Sequence, residues 1–161
     1  MLALTWECIR ELKDRAGMNR DRERIAGLIL AAGASTRMGR PKQLLRVHGQ
    51  TLLDRILHEA LSSELDKIFL ILGYQAHEIK RTLGQRLVHR KLQVIENRQY
   101  ARGISSSIIA GLSVIEANYE HMMILLADLP HINSKLINLL IFGYLEAGLP
   151  IGAIQVKSKR S

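Results

Sequence analysis

Apolar runs and amphipathic segments alternate along the chain from residue 25 onward. The apolar runs are short and nearly unbroken, which is typical of strands buried on both faces of a sheet. The segments between them carry apolar residues at helical spacing. The pattern predicts strands at Ile25–Leu30, Lys67–Leu72, Leu92–Ile95, Met122–Leu126 and Ile151–Val156, and helices at Thr51–Leu61, Glu78–Leu83, Ile104–Ala117 and Ser134–Glu146.

This alternation predicts right-handed crossovers and a single α/β domain with a doubly wound, mostly parallel sheet. In such a sheet, ligands bind beyond the carboxyl ends of the strands, where the strand order reverses. A glycine-bearing loop follows Leu30, and Asp128 follows the strand that ends at Leu126. We therefore expect both segments at the ligand-binding edge of the sheet.

Two of the helices carry side-chain predictions. Thr51, or the glutamine before it, is expected near the N-cap of the first helix, because a hydroxyl or amide oxygen there can accept a backbone N–H. In the third helix, Ile108, Ile109, Leu112 and Ile115 are predicted to share one buried face.

The segments outside this pattern are interpreted separately. Residues 1–24 combine a short amphipathic helix with dense alternating charges, and we interpret them as an N-terminal extension. Met18 is an alternative start of the protein. Residues 25–156 form the predicted domain, and residues 157–161 form a basic tail.

Composition narrows the function classes. A chain of 161 residues is long enough to bury one sizeable core. No apolar run approaches the roughly 20 residues of a membrane span, and no signal peptide is recognisable. The single cysteine, Cys8, can form no internal disulfide, which fits a reduced thiol in a cytoplasmic protein.

The formal net charge of +8 suits a polyanionic ligand. Nucleic acid is disfavoured as that ligand, because the Lys and Arg residues are scattered and no aromatic residues interleave with them for base stacking. Polyphosphates of small molecules remain the better match.

The loop from Leu30 to Lys42 carries the strongest chemical signal. Gly33 allows backbone conformations in which amide groups converge on an anion. Arg37 can donate paired hydrogen bonds to phosphate oxygens, and Lys42 supplies a compact positive charge. The spacing fits neither a Walker A motif nor the dinucleotide fingerprint. Composition alone also leaves open a glycine-rich surface turn.

The complete loop resembles the signature L-A-A-G-x-S-x-R-M-G-x-P-K of the MobA-like nucleoside-triphosphate transferases. These include the molybdenum-cofactor cytidylyltransferases and guanylyltransferases, and they resemble the sugar-phosphate nucleotidyltransferases. The Ala-Ala-Gly form is closer to the cytidylyltransferase branch. The signature is met at Leu30, Ala31, Ala32, Gly33, Ser35, Arg37, Met38, Gly39, Pro41 and Lys42.

Two downstream segments extend the resemblance. The stretch from Asn97 through Gly103 to Ser105, Ser106 and Ser107 is similar to the family motif that lies against base and ribose. Asn97 either contacts the nucleotide or stabilises a turn, and the serines either contact it or cap a helix. Gly73, which closes the second strand, joins Leu30, Ala31, Ala32, Gly33 and Ser35 among the expected nucleotide contacts.

The segment Leu126–Pro130 resembles the family's metal-binding motif, which implies that Asp128 holds Mg²⁺. One carboxylate oxygen together with phosphate oxygens and water can complete the octahedron that Mg²⁺ requires. Taken alone, Asp128 would fit an N-cap or a turn equally well. The histidines lie in different elements with no zinc-ligand spacing.

The resemblance implies a Mg²⁺-dependent, Rossmann-like nucleotidyltransferase with Arg37, Lys42 and Asp128 as catalytic residues. The implied donor is CTP, and the implied acceptor is a small phosphorylated molecule such as molybdopterin. Because family members continue into a further lobe, we expect a chain truncated at the C-terminus that binds triphosphate and turns it over poorly. Alternatives are a non-catalytic nucleotide-binding remnant and a sugar-1-phosphate nucleotidyltransferase.

Overall fold

The computed structural model describes residues 23–34, 41–47, 49–129 and 131–152. These residues form an α/β sandwich in which a central sheet is covered by helices on both faces. Three short 3₁₀ turns, at Lys42–Leu44, Gly84–Leu87 and Tyr100–Arg102, connect the larger elements. The elements are β1 (Ile25–Ala31), β2 (Arg46–Val47), β3 (Gln50–Thr51), α1 (Leu52–Leu61), β4 (Lys67–Leu72), α2 (Ala76–Leu83), β5 (Leu92–Glu96), α3 (Ile104–Ile115), β6 (His121–Leu126) and α4 (Ser134–Ala147).

The main sheet has the strand order β5-β4-β1-β6, and all three of its pairings are parallel. The chain runs outward from β1 through β4 to β5 and then returns to place β6 on the other side of β1. Strand order therefore reverses beside β1, which is the position where sheets of this kind bind ligands. The predicted doubly wound parallel sheet is confirmed.

Alternate residues of the buried strands pack into two separate hydrophobic cores, one on each face of the sheet. Ile29 and Leu70 pack toward α1, α2 and α4, whereas Leu28 and Ile71 pack toward α3. Each of these four side chains is fully buried. Burial on both faces explains why the strands read as continuous apolar runs in the sequence.

Helix α3 approaches the sheet closely at small residues, and Ile115 adds one large buried side chain. Ser107, Gly111 and Ile115 are its buried positions, and a Cβ atom added at Gly111 would come within 2.3 Å of a Leu28 methyl carbon. The predicted face is wrong for Ile109 and for Leu112, which are 66% and 41% exposed. Because the helix approaches the sheet closely at Gly111, a residue without a Cβ is favoured there. The bulkier Ile109 and Leu112 lie outside this contact.

Other boundaries agree closely with prediction. Thr51 is the N-cap of α1, and its hydroxyl oxygen accepts the N–H of Asp54 at 3.0 Å. Gly148, with φ of +59°, ends α4. The two-residue strands β2 and β3 pair antiparallel and were not predicted, because such short strands carry no periodic signal.

The predicted last strand, Ile151–Val156, is not observed in its described part, because Ile151 and Gly152 lie outside any strand. Residues 153–156 and the predicted N-terminal helix lie outside the described residues. Of the helices that the structure describes, none combines the length and apolar character that crossing a bilayer requires.

Candidate active site

The carboxyl ends of the four parallel strands meet at one edge, and backbone hydrogen bonds join the segments that follow them. The N–H of Ala127 donates to the carbonyl of Leu30 at 3.2 Å, which brings the β6 turn against the start of the loop after β1. The N–H of Asn97 donates to the carbonyl of Leu72 at 2.8 Å. The edge thus gathers residues that are far apart in the sequence.

The phosphate loop, defined here as residues 31–42, begins inside the core. Leu30, Ala31 and Ala32 are buried, so their contribution is to place the backbone rather than to present side chains. Gly33 is the first exposed residue, and a Cβ added there would meet no atom within 4 Å. The predicted contacts of Ser35 and Arg37 lie outside the described residues.

The loop returns to the sheet at Lys42, which is exposed and opens a 3₁₀ turn. The next residue, Gln43, is buried, and its Nε2 donates to the carbonyls of Ala31 at 3.0 Å and of Gly33 at 3.2 Å. Sequence reasoning missed Gln43. The available signal was a polar residue placed directly between the basic Lys42 and an apolar pair of leucines.

Gly73 lies where the start of the phosphate loop packs against the segment that follows β5. A Cβ added at Gly73 would come within 2.5 Å of Tyr100 Cβ and 2.9 Å of Ala32 Cβ. The N–H of Tyr74 donates to the Ala32 carbonyl at 3.1 Å, and the rings of Tyr74 and Tyr100 meet edge to face. Gly73 therefore permits a three-way contact between the phosphate loop, β4 and the segment after β5.

The Asn97 segment, defined here as residues 97–107, is held by the amide of Asn97, which is 6% exposed. Asn97 Nδ2 donates to the hydroxyl oxygens of Ser106 at 2.9 Å and Ser107 at 3.0 Å. Asn97 Oδ1 accepts the N–H of Gln99 at 2.8 Å. Both amide hydrogens are engaged within the segment, so this geometry matches the turn-stabilising alternative for Asn97.

Helix α3 begins beyond this turn without a side-chain cap. Its N-cap is Gly103, whose φ of +100° and ψ of −179° favour glycine. The hydroxyl of Ser106 faces the carbonyls of Gln99 and Gly103, and Ser105 is exposed. The capping alternative for the serines is therefore wrong, and Ser105 is the one that presents its side chain to solvent.

Asp128 is exposed on the turn that follows β6. The N-cap of α4 is Asn133, whose Oδ1 accepts the N–H of Leu136 at 2.9 Å, so the N-cap alternative for Asp128 is wrong. Within the described residues, no three His, Cys, Asp or Glu side chains converge as a metal cage. A divalent ion at Asp128 would thus gain one hard oxygen ligand there, which fits an ion bound mainly by phosphates and water.

One charged pair borders this edge. Lys80 of α2 forms an ion pair with Glu96 at the end of β5, and this hydrogen bond lowers the pKa of the Glu96 carboxyl. The pair links the helix after β4 to the strand that leads into Asn97.

Comparison with known proteins agrees with the motifs. The sequence profile of the MobA-like NTP transferase domain matches residues 27–160. Molybdenum cofactor cytidylyltransferase of Escherichia coli (strain K12) is 30% identical over 103 residues, covering 64% of this chain and 50% of that protein. Bifunctional protein GlmU of Synechococcus elongatus is 29% identical over 126 residues, covering 77% of this chain and 27% of that protein.

Solved structures resemble the same region. Rv0371c from Mycobacterium tuberculosis H37Rv, in complex with manganese, superposes with a TM-score of 0.60 at 26% identity. The match covers 77% of this chain and 60% of that one. The chain thus spans about a quarter to three fifths of the relatives described here.

Proposed function

We propose a function for this chain, which belongs to the family of MobA-like NTP transferase domains. The domain binds a nucleoside triphosphate at the carboxyl edge of its sheet. It transfers the nucleotidyl group to a small phosphorylated acceptor and releases pyrophosphate. The observation that carries this proposal is the placement of both ends of the phosphate loop and of the turn that bears Asp128 at the carboxyl edge, beside the strand-order reversal.

The phosphates would lie along the phosphate loop. Backbone amides of the loop and the side chain of Lys42 supply positive potential for the phosphates. Arg37, as the family signature implies, would add paired hydrogen bonds. Ser105 and Gly103 are exposed residues of the Asn97 segment, and we propose that they face the base and ribose.

Asp128 would hold the divalent ion that the family resemblance implies, and we propose Mg²⁺ as that ion. When bound, the ion supplies charge neutralisation on the triphosphate. The manganese complex of Rv0371c supports a divalent ion in a related structure. Only one protein ligand is required, because the phosphates and water provide the remaining oxygens.

The reaction itself needs positioning more than acid–base chemistry. An oxygen of the acceptor phosphate attacks the α-phosphorus in line, and a new P–O bond forms. The bond between the α-phosphorus and the bridging oxygen breaks, and pyrophosphate leaves with the electron pair. Lys42 and the loop amides stabilise the negative charge that develops on the leaving group.

For the donor we propose CTP, and for the acceptor molybdopterin or a molybdenum-bearing form of it. The similarity to molybdenum cofactor cytidylyltransferase and the Ala31-Ala32-Gly33 sequence support both choices. A sugar 1-phosphate is the alternative acceptor that the same loop could serve.

The test is a thermal-shift screen of CTP, GTP, ATP and UTP with Mg²⁺. A ligand at about 100 times its dissociation constant should stabilise the fold by roughly 2.7 kcal/mol. Lys42→Ala should weaken CTP binding about tenfold, because a charge-assisted hydrogen bond contributes about 1.5–3 kcal/mol. Arg90→Ala is the matched control, since it removes one exposed charge just before β5, at the opposite edge of the sheet.

Equal affinity of wild type and Lys42→Ala would contradict the phosphate assignment. Pyrophosphate release with molybdopterin, compared with a sugar 1-phosphate, then separates the two acceptors. Absence of a shift with all four triphosphates would overturn the proposed function.

A further inference from the structure

The side chain of Gln43 connects the two ends of the phosphate loop. It follows Lys42 directly, is 5% exposed, and places Nε2 within 3.0 Å of the Ala31 carbonyl and 3.2 Å of the Gly33 carbonyl. We propose that Gln43 is a positioning residue that orients the loop amides toward the triphosphate. This inference rests on the proposed function and adds to it a residue that never touches the ligand.

Peptide geometry shows how the contact would work. In a trans peptide, each C=O points away from the N–H in the same plane, and the peptide bonds of residues 31–34 are trans. Because the carbonyls of Ala31 and Gly33 both face Gln43, the N–H groups of Ala32 and Ala34 face the opposite side. Two amides with the same orientation, separated by one residue, present two N–H donors on one side of the backbone, and outward-facing backbone amides can bind an anion.

Within the part of the chain that the structure describes, no hydrogen bond is donated by the N–H groups of Ala32, Gly33 and Ala34. The carbonyl of Ala32, in contrast, accepts the N–H of Tyr74 at 3.1 Å. Among these described residues, the backbone is thus anchored through its carbonyls, and the amide donors have no protein acceptor.

The amide orientation of Gln43 follows from its partners. With the reversed orientation, the side-chain oxygen would face two carbonyl oxygens, which repel it. In the observed orientation, Gln43 Oε1 is buried without a hydrogen-bond partner in the described part of the chain. A buried acceptor without a partner costs free energy. An apolar side chain of similar size would avoid that cost, which argues that the two Nε2 contacts are the reason for a glutamine here.

The same contact fixes Lys42. Gln43 lies within the 3₁₀ turn Lys42–Leu44, so holding its side chain against Ala31 also holds the backbone of Lys42. The loop amides and the ammonium group are then positioned by a single buried amide. Loss of that amide should affect binding of a triphosphate far more than binding of a monophosphate.

The test compares Gln43→Met with Gln93→Met. Methionine keeps the length and approximate volume of glutamine and removes the donor, and Gln93 is an exposed residue of β5 that serves as the matched control. We expect Gln43→Met to raise the dissociation constant for CTP about tenfold and that for CMP less than about twofold. Gln93→Met should change neither.

A uniform loss of affinity for CTP and CMP would indicate a merely structural role and would overturn the inference. Unchanged CTP affinity in Gln43→Met, with reduced affinity in Lys42→Ala, would overturn it as well and leave the proposed function intact. If wild type binds no triphosphate, the proposed function is wrong and the inference falls with it.

A measurement on wild type covers the case in which Gln43→Met does not fold. We expect the side-chain amide protons of Gln43 to exchange slowly with solvent in NMR spectra, and to shift when CTP binds but not when CMP binds. Fast exchange, or equal shifts with both nucleotides, would overturn the proposal.

Discussion

The two halves of the candidate site are built differently. In the Asn97 segment, the amide of Asn97 joins two serine hydroxyls and the Gln99 backbone, so its polar groups satisfy one another. In the phosphate loop, one glutamine holds the carbonyls, and the neighbouring amides have no acceptor among the described residues. From this difference we expect the Asn97 segment to be the more rigid half and the phosphate loop to be the part that responds to ligand.

The largest expected effect comes from breaking the rigid half. Asn97→Ala removes three hydrogen bonds around a buried amide, leaves the hydroxyl of buried Ser107 without that partner, and should lower stability by about 2–4 kcal/mol. Chemical denaturation measures the loss. Asn118→Ala, at an exposed position after α3, is the control. A loss no larger than that of the control would show that the segment is not internally braced.

Gly73→Ala acts on both halves at once. The added carbon would lie within 2.5 Å of Tyr100 Cβ and 2.9 Å of Ala32 Cβ, so either the loop or the Asn97 segment must shift. We expect a loss of about 1–3 kcal/mol, as for overpacking in a core, together with weaker CTP binding. Gly143→Ala, where an added carbon meets nothing within 4 Å, should show neither effect.

Substitutions at Asp128 and Asn133 distinguish a metal-binding role from a helix-capping role in the connection between β6 and α4. Asp128→Asn should abolish the Mg²⁺ enhancement of CTP binding and leave the melting temperature nearly unchanged. Asn133→Ala should lower stability by about 1 kcal/mol, because it removes the N-cap of α4, and should keep the Mg²⁺ response. Thermal shifts with and without Mg²⁺ measure both. The opposite pattern would assign the metal elsewhere.

The smallest expected effect concerns the ion pair between Lys80 and Glu96 at the border of the site. Lys80 lowers the pKa of Glu96 from its ordinary value of 4.5. A lowered folded-state pKa means that the stabilisation is complete above that ordinary value and is lost as pH falls through the lowered pKa. Glu96→Gln should therefore reduce, by a small amount, the loss of stability as pH falls below that ordinary value. A larger acid sensitivity in Glu96→Gln than in wild type would contradict the assignment.

Local patterns in the sequence were sufficient for the fold. Apolar runs predicted four strands within one or two residues. The signal is clearest for β1 and β4, because strands buried on both faces have no room for polar residues. Thr51 was predictable as a cap, since its partner Asp54 is three residues away. The placement of Gly33 and Asp128 at the carboxyl edge of the sheet was predictable as well, because each follows a strand that the sequence marks directly, whereas their roles rest on the family resemblance.

Tertiary structure decided everything that depends on contacts between distant segments. The buried face of α3 is set by the space that Leu28 leaves at Gly111, and helical periodicity cannot report that space. The role of Gln43 depends on its side chain reaching the carbonyls of Ala31 and Gly33, which lie twelve and ten residues earlier in the chain. The side-chain amide of Asn97 donates both of its hydrogens to Ser106 and Ser107. The turn at Gly103 brings these serines within reach. The sequence shows which chemical groups each residue carries. The contacts that determine what those groups do form only when distant segments come together in the folded chain.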